Sequence, residues 1–293
     1  IKLNSNDYGN LIDFFGGQRD IKEKAIRALH NLSLVEDPTR VFRAIRFEQR
    51  FNFKIGKHTQ NLIKTAVRME LFHKLSGKRV LNELRLIFEE AEPIKAIMRM
   101  AEFDLLRFIH PEIAFKDKNT RLFEKIKEAI AWFDLLFLNL PIEKWLIYLM
   151  GLLNGLSKRD AEDVLKRLAV PERSARKLID AAEHFEKVLS EFYRHKKMEN
   201  SRIYRLLHPL STETVVFMMA KAKEEAAKKY ISLYLTELRK IGLSITGNDL
   251  KKLGIKEGPR FRDILEKAFE RKLNGMLKTK KDELKFVKGL KSE

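Results

Sequence analysis

Two carboxylates and a guanidinium at short spacing carry the sharpest chemistry in this sequence: Glu36, Asp37 and Arg40. Arg43 and Arg46 follow at further intervals of three, and no acid intervenes between Asp37 and Glu48. In a helix that begins at Asp37, this spacing puts the charged groups on neighbouring turns of one face. A carboxylate only accepts hydrogen bonds, whereas a guanidinium only donates them, through a rigid fork. Side by side, the two match a nucleobase edge that carries an amine next to a bare ring nitrogen. Cytosine and adenine present that edge; guanine and uracil present an N–H beside a carbonyl and oppose it. Polar groups held in a site reject the wrong polarity strongly, because a mismatch leaves them unpaired. The plainer reading is a capped helix with a solvated basic face, and the spacing alone leaves both open.

The positioning element is a helix. Asp37 is a good N-cap, Pro38 suits the first helical position, and Val41, Phe42 and Ile45 form an apolar face. Cations in the first turns oppose the helix dipole by a few tenths to about 1 kcal/mol each, so something other than helix stability favours them here. Upstream, Ile1–Asn4 and Leu11–Phe15 read as strands joined by a turn over residues 5–10. A lone hairpin is marginal in water, so this one is expected to edge a larger sheet whose other strands lie upstream. Gly16-Gly17 ends the second strand, and Asp20 is expected to cap a helix over Ile21–His30.

Downstream, Lys57–Met69 is amphipathic through Leu62, Ile63, Ala66 and Val67. Arg79 and Glu83 are four apart, the spacing of a surface ion pair contributing about 0.3–0.5 kcal/mol. From Pro93 to His195 the pattern is helical, with Met98, Met100, Phe103, Phe133, Phe137 and Trp145 read as core. Met198–Asn200 is a polar break. Beyond it come short helices and a longer one over Lys223–Ile241, then a helix capped by Thr246 or Asn248 and another opened by Gly258-Pro259.

A formal net charge of +18 over 293 residues points to a polyanionic partner, nucleic acid before acidic membrane. The absence of cysteine excludes disulfides and thiolate metal sites. No apolar run reaches the length of a membrane span; the densest stretch, Ala129–Met150, contains Asp134, Pro141, Glu143 and Lys144 and reads as two buried helices with a break. The seven histidines lack zinc-ligand spacing, and neither Asp-x-Asp nor a His-Asp step occurs. Between Arg271 and Lys291, eight Lys or Arg face two acids, the composition of a solvated face or of a grip on RNA phosphates.

The run Glu36–Phe53 resembles the nucleobase-reading motif of class II tRNA nucleotidyltransferases, the CCA-, CC- and A-adding enzymes, and of bacterial poly(A) polymerases. In that family an acid-acid-x-x-Arg motif selects CTP and ATP with protein side chains, and Glu36, Asp37 and Arg40 match it residue for residue. Leu11–Ile21 is similar to the family's strand-to-neck connection, with Phe14 where proline is common. Ser76–Leu84 resembles a motif in which an arginine and a glutamate, here Arg79 and Glu83, brace the neck helices. Ile245–Leu265 resembles the C-terminal module of the long bacterial relatives, with Arg260-Phe261 in place of isoleucine-glycine.

The resemblance implies a mainly α, multi-domain chain with a short N-terminal β-hairpin left from an α/β catalytic head. Its expected parts are the end of that head (1–30), a neck carrying the base-reading motif (31–95), a helical body (96–198) and a basic, tRNA-binding tail (199–293). It implies addition of C and/or A to the tRNA 3′ end without a nucleic acid template, in the cytoplasm, from CTP and/or ATP. Asp37 and Arg40 would read the base, Glu36 would orient Arg40 or cap the helix, and Arg43 would contact base or triphosphate. Asp13, Arg79 and Glu83 would support the neck. Gly258, Arg260, Lys280, Lys281 and Lys285 would hold the acceptor and T-arm of the tRNA. The family's chemistry uses Mg2+ on paired aspartates; with no Asp-x-Asp, the metal ligands and catalytic residues are expected upstream, in a head segment missing from this chain. A poly(A) polymerase shares the motif, and a non-catalytic helical RNA-binding protein on the same scaffold is the rival from another class.

Overall fold

The computed structural model describes residues 6, 8–195, 197–255 and 258–291. In chain order the elements are α1 (Gly17–Lys22), β1 (Ala25–Ile26), α2 (Ser33–Glu36), α3 (Thr39–Arg50), β2 (Lys54–Ile55), α4 (Lys57–Arg68), α5 (Gly77–Phe88), α6 (Pro93–Glu102), α7 (Asp117–Asp134), α8 (Lys144–Leu153), α9 (Lys158–Arg167) and α10 (Glu172–Arg194). There follow α11 (Asn200–Leu207), α12 (Thr212–Lys221), α13 (Glu225–Thr236), α14 (Gly247–Lys252), α15 (Pro259–Leu273) and α16 (Lys280–Lys291). The chain is therefore mainly α. It divides into two compact units, Ile1–Lys127 with Glu143–Ile179, and Glu128–Ile142 with Asp180–Glu293.

In the first unit, α3 packs on α5 and α6. Its buried face is Val41, Phe42, Ala44 and Ile45, the helical spacing read from sequence. Burying side chains of this size contributes roughly 1.5–3 kcal/mol each, which outweighs the unfavourable charge at the helix start. Phe42 meets Phe72 edge-on at 5.8 Å, and Phe72 meets Phe108 at 5.0 Å, so α3 is fixed to the segment after α4. The start of α5 runs hard against the end of α9: a Cβ on Gly77 would lie 1.8 Å from the Arg167 carbonyl oxygen. The Arg167 guanidinium also donates to the carbonyls of Leu75 and Phe72, which fixes the approach to α5.

The N-terminal segment departs from expectation. Ile1–Asn4 lies outside the described residues, and Leu11–Phe15 is not a strand; Leu11, Phe14 and Phe15 are exposed. No pairing partner is present for it among the described residues, and apolar, β-prone composition alone does not make a strand. The helix expected at Ile21–His30 is instead α1, which starts earlier and stops at Lys22, because Lys24 turns into the left-handed region (φ 50°). Asp20 therefore sits inside α1, where its carboxylate takes the Arg27 guanidinium instead of capping. The residues after the break form β1, which pairs parallel with β2 at Ala25–Lys54 and Ile26–Ile55. Glu48, buried on α3, anchors that pairing by accepting the Ile55 backbone N–H at 2.8 Å while Arg99 neutralises it at 2.9 Å.

The apolar stretch from Ala129 to Met150 does resolve into the end of α7 and the start of α8, and among the described residues no helix is long and apolar enough to cross a membrane. Two residues read as core are not: Met98 is 42% exposed and Phe137, just past α7, is 82% exposed.

In the second unit, Ile245, Leu250, Ile255, Ile264, Ala268, Leu277 and Val287 form a small core of their own. Thr246 and Asp249 close a capping box on α14. The expected Lys223–Ile241 helix is α13 followed by one tight turn, Leu238–Lys240. Glu283 is fully buried; one of its oxygens takes the Lys272 ammonium, and the other takes the backbone N–H groups of Ser244 and Ile245.

Candidate nucleobase-reading site

The start of α3 is tied by its own sequence. The Asp37 carbonyl accepts from Arg40 N, and its carboxylate accepts from the Thr39 backbone N–H (3.1 Å) and hydroxyl (2.6 Å). Asp37 thus caps the helix as its position predicts, although the regular helix begins two residues on. A third donor arrives from α5: Arg79 Nη2, at 2.8 Å. Burial by itself would raise the Asp37 carboxyl, but the Thr39 and Arg79 hydrogen bonds and the Arg79 charge outweigh it and hold the group below the ordinary carboxylate value. All three bonds converge on Oδ1. Oδ2 has no partner among the described residues and remains an acceptor.

Arg40 is held separately. Its Nη1 donates to the Ser33 hydroxyl (2.7 Å) and carbonyl (3.1 Å), and Glu36 Oε2 lies 3.9 Å away. Glu36 is itself 3.6 Å from His30 Nε2. The two base-reading candidates are thus not bonded to each other. Each is anchored through one atom, Asp37 by Oδ1 and Arg40 by Nη1, with a second polar edge left over: a bare carboxylate oxygen and the Nε/Nη2 side of the fork. Arg43 is exposed on the next turn.

Arg79 and Glu83 do not pair as their spacing suggested, because Arg79 reaches Asp37 instead. Glu83 Oε2 is buried without a hydrogen-bond partner among the described residues. Burial pushes the Glu83 carboxyl up, against the nearby charges of Arg46, Arg43 and Arg79. Arg46 turns away from the open face: it is 8% exposed, pairs with Glu90 at 3.2 Å and stacks on Phe47. Asp13 accepts the backbone N–H groups of Gly17 and Gln18 at 2.8 Å each, which caps α1 and lowers its carboxyl. Gly16, left-handed at φ 75°, makes that tight turn.

Sequence reasoning missed Ser33 and Thr39. Thr39 was within reach, since Asp-Pro-Thr is a local capping pattern. Ser33 lies seven residues before Arg40, and no helical or strand period joins them.

The other candidate residues lie in the second unit. Lys280 is 3.2 Å from Asp249, and Arg260 Nη2 donates to the Leu290 carbonyl. Lys281, Lys285 and Lys288 are exposed and share one face of α16. Gly258 starts α15 in an extended, positive-φ conformation (155°).

Among the described residues one group has metal-ligand proximity, His110 with Asp160 and Asp163. It does not fit the magnesium that the resemblance implies. His110 Nδ1 accepts the Glu112 backbone N–H, so the neutral ring carries its proton on Nε2, towards Asp160; Asp160 Oδ2 is taken by the Ser157 hydroxyl. The ring and one carboxylate oxygen are thus engaged within the protein, and magnesium prefers oxygen ligands to imidazole.

The carboxylate and guanidinium at the start of α3, with Arg79 of α5 behind the carboxylate, are thus candidates for meeting a nucleobase edge. A family profile described as "Probable RNA and SrmB-binding site of polymerase A" matches residues 52–116. An A-adding tRNA nucleotidyltransferase of Geobacter sulfurreducens is 47% identical over 98% of this chain and 33% of its own length. One from Aquifex aeolicus is 33% identical over 87% and 31%. Among solved structures, a Thermotoga maritima CCA-adding enzyme complexed with tRNA matches with a TM-score of 0.81 and 32% identity, covering 100% of this chain and 70% of that one. A CCA-adding enzyme complexed with ATP matches with a TM-score of 0.80 and 31% identity, over 100% and 69%. The chain belongs to the class II tRNA nucleotidyltransferase family. It spans about a third of the length of the A-adding relatives from Geobacter and Aquifex.

Proposed function

We propose that this chain is the neck (31–95), body (96–198) and tail (199–293), preceded by the end of the catalytic head (1–30), of a cytoplasmic tRNA nucleotidyltransferase that adds C and/or A to the tRNA 3′ end. The observation that carries this reading is the pair of polar edges left over at the start of α3, Asp37 Oδ2 and the outer side of the Arg40 fork. Asp37 accepts from the exocyclic amine of the incoming ATP or CTP, and Arg40 donates to the adjacent ring nitrogen. Glu36 neutralises the inner side of Arg40, and Arg43 meets base or triphosphate. Arg79 holds Asp37 and keeps it ionised, so that it stays an acceptor; Glu83 and Asp13 support the same helices. The 47% identity to an A-adding relative favours AMP as the residue added.

Magnesium, held by aspartates expected outside this chain, would supply the charge stabilisation for nucleotidyl transfer. This chain's residues choose the base and hold the RNA, with Gly258, Arg260, Lys281 and Lys285 of the tail against the acceptor and T-arm. A-form RNA is gripped by shape and backbone, which suits lysines on one helix face. The likeness of 52–116 to a polymerase A segment favours a poly(A) polymerase as the second reading, and the length of the product separates the two.

In the full-length protein, Arg40→Ala is expected to lower the preference for ATP over GTP by about 10- to 100-fold, the worth of one hydrogen bond from a charged group, with the fold intact. Single-nucleotide incorporation on tRNA measures it. Unchanged discrimination in a folded variant would contradict base reading by Arg40.

A further inference from the structure

An arginine that reads a base edge has to present its fork in one plane, yet its side chain is long and rich in rotamers. Ordering it only when the nucleotide arrives would weaken binding and blur the choice of base. What fixes Arg40 before that moment is visible in its partners. Glu36, at 3.9 Å, is beyond hydrogen-bond distance and its side chain is 54% exposed, so solvent and salt screen it. Ser33 is different. It is 4% exposed, and its hydroxyl and carbonyl oxygens grip the same Arg40 nitrogen, at 2.7 and 3.1 Å. Two acceptors of one buried residue on the same Nη1 restrict the swing of the guanidinium, while Nε and Nη2 make no hydrogen bond among the described residues.

We propose that Ser33 is a positioning residue for base selection: by fixing Arg40 Nη1 from the buried side, it holds the donor edge of the fork in the single orientation that suits an adenine or cytosine edge. This rests on the reading of Arg40 as the base-selecting donor. Ser33 does not touch the nucleotide. It acts through Arg40, and removing its hydroxyl leaves only the 3.1 Å carbonyl contact, which loosens Arg40 so that it can also present its donors to the carbonyl of a guanine or uracil.

The test is a cycle in the full-length protein: Ser33→Ala, Arg40→Ala and the double variant, with kcat/KM for ATP and for GTP on a tRNA acceptor. Ser33→Ala is expected to lower the ATP-over-GTP ratio about tenfold, and to have no further effect once Arg40 is gone. Because Ser33 is buried, Ser33→Thr and Ser33→Val provide a matched pair of equal shape: the threonine variant should keep more of the ratio than the valine variant, while both melt alike. An unchanged ratio in Ser33→Ala, or an equal loss in the Arg40→Ala background, would overturn the positioning role and leave base reading by Arg40 standing. No effect of Arg40→Ala itself would overturn both.

Discussion

At the scale of single residues, the proposed base choice turns on one carboxylate with a free oxygen. Asp37 is held below its ordinary value against burial, so its contribution to stability has a definite sign with pH. A lowered folded value means that this contribution is fully present above the unfolded carboxyl range, about pH 4, and is lost as pH falls through the folded value. Unfolding followed from pH 7 to pH 3 should show the advantage of the wild type over Asp37→Asn flat down to about pH 5 and shrinking below about pH 4. An advantage already lost at pH 6 would mean that Thr39 and Arg79 do not hold the ionised form. Glu83 carries the opposite sign, since its carboxyl is pushed up. The Asp37-Pro38 start was legible because capping is local. The bonds from Ser33 to Arg40 and from Arg79 to Asp37 were not, because they join residues seven and 42 apart that only tertiary packing brings together.

At the scale of elements, α3, α4 and α6 were readable from apolar spacing, whereas the N-terminal segment was not. Leu11–Phe15 is apolar and β-prone like a strand and is not one, and the two-residue strands β1 and β2 are too short to leave a pattern. Their pairing is set by Glu48, a buried acid that sequence alone shows only as a charged residue on a helix. The tail offers an element-scale prediction. Glu283→Ala would leave the Lys272 ammonium and the Ser244 and Ile245 N–H groups without their partner in a small core, at a cost of about 3–5 kcal/mol. Urea unfolding monitored at the tail should show that loss; a change under about 1 kcal/mol would mean that water replaces the carboxylate readily.

At the scale of the whole molecule, the net charge of +18 announced a polyanionic partner, but it did not say which lysines are free to meet one. Lys280 is partly spent on Asp249, so the exposed face Lys281, Lys285 and Lys288 is the better test of the proposed RNA contact. Neutralising those three should weaken tRNA binding and lower the slope of log K against log salt by roughly two to three; an unchanged slope would place the RNA on other residues. The base choice itself is tested most directly by removing the same contact from each side in turn. ATP and an analogue lacking the 6-amino group are offered to the full-length wild type and to Asp37→Ala, and kcat/KM is measured for all four combinations. If Asp37 Oδ2 accepts from that amine, losing the amine costs the wild type dearly and the variant almost nothing. Equal losses in both proteins would show that the amine is read elsewhere.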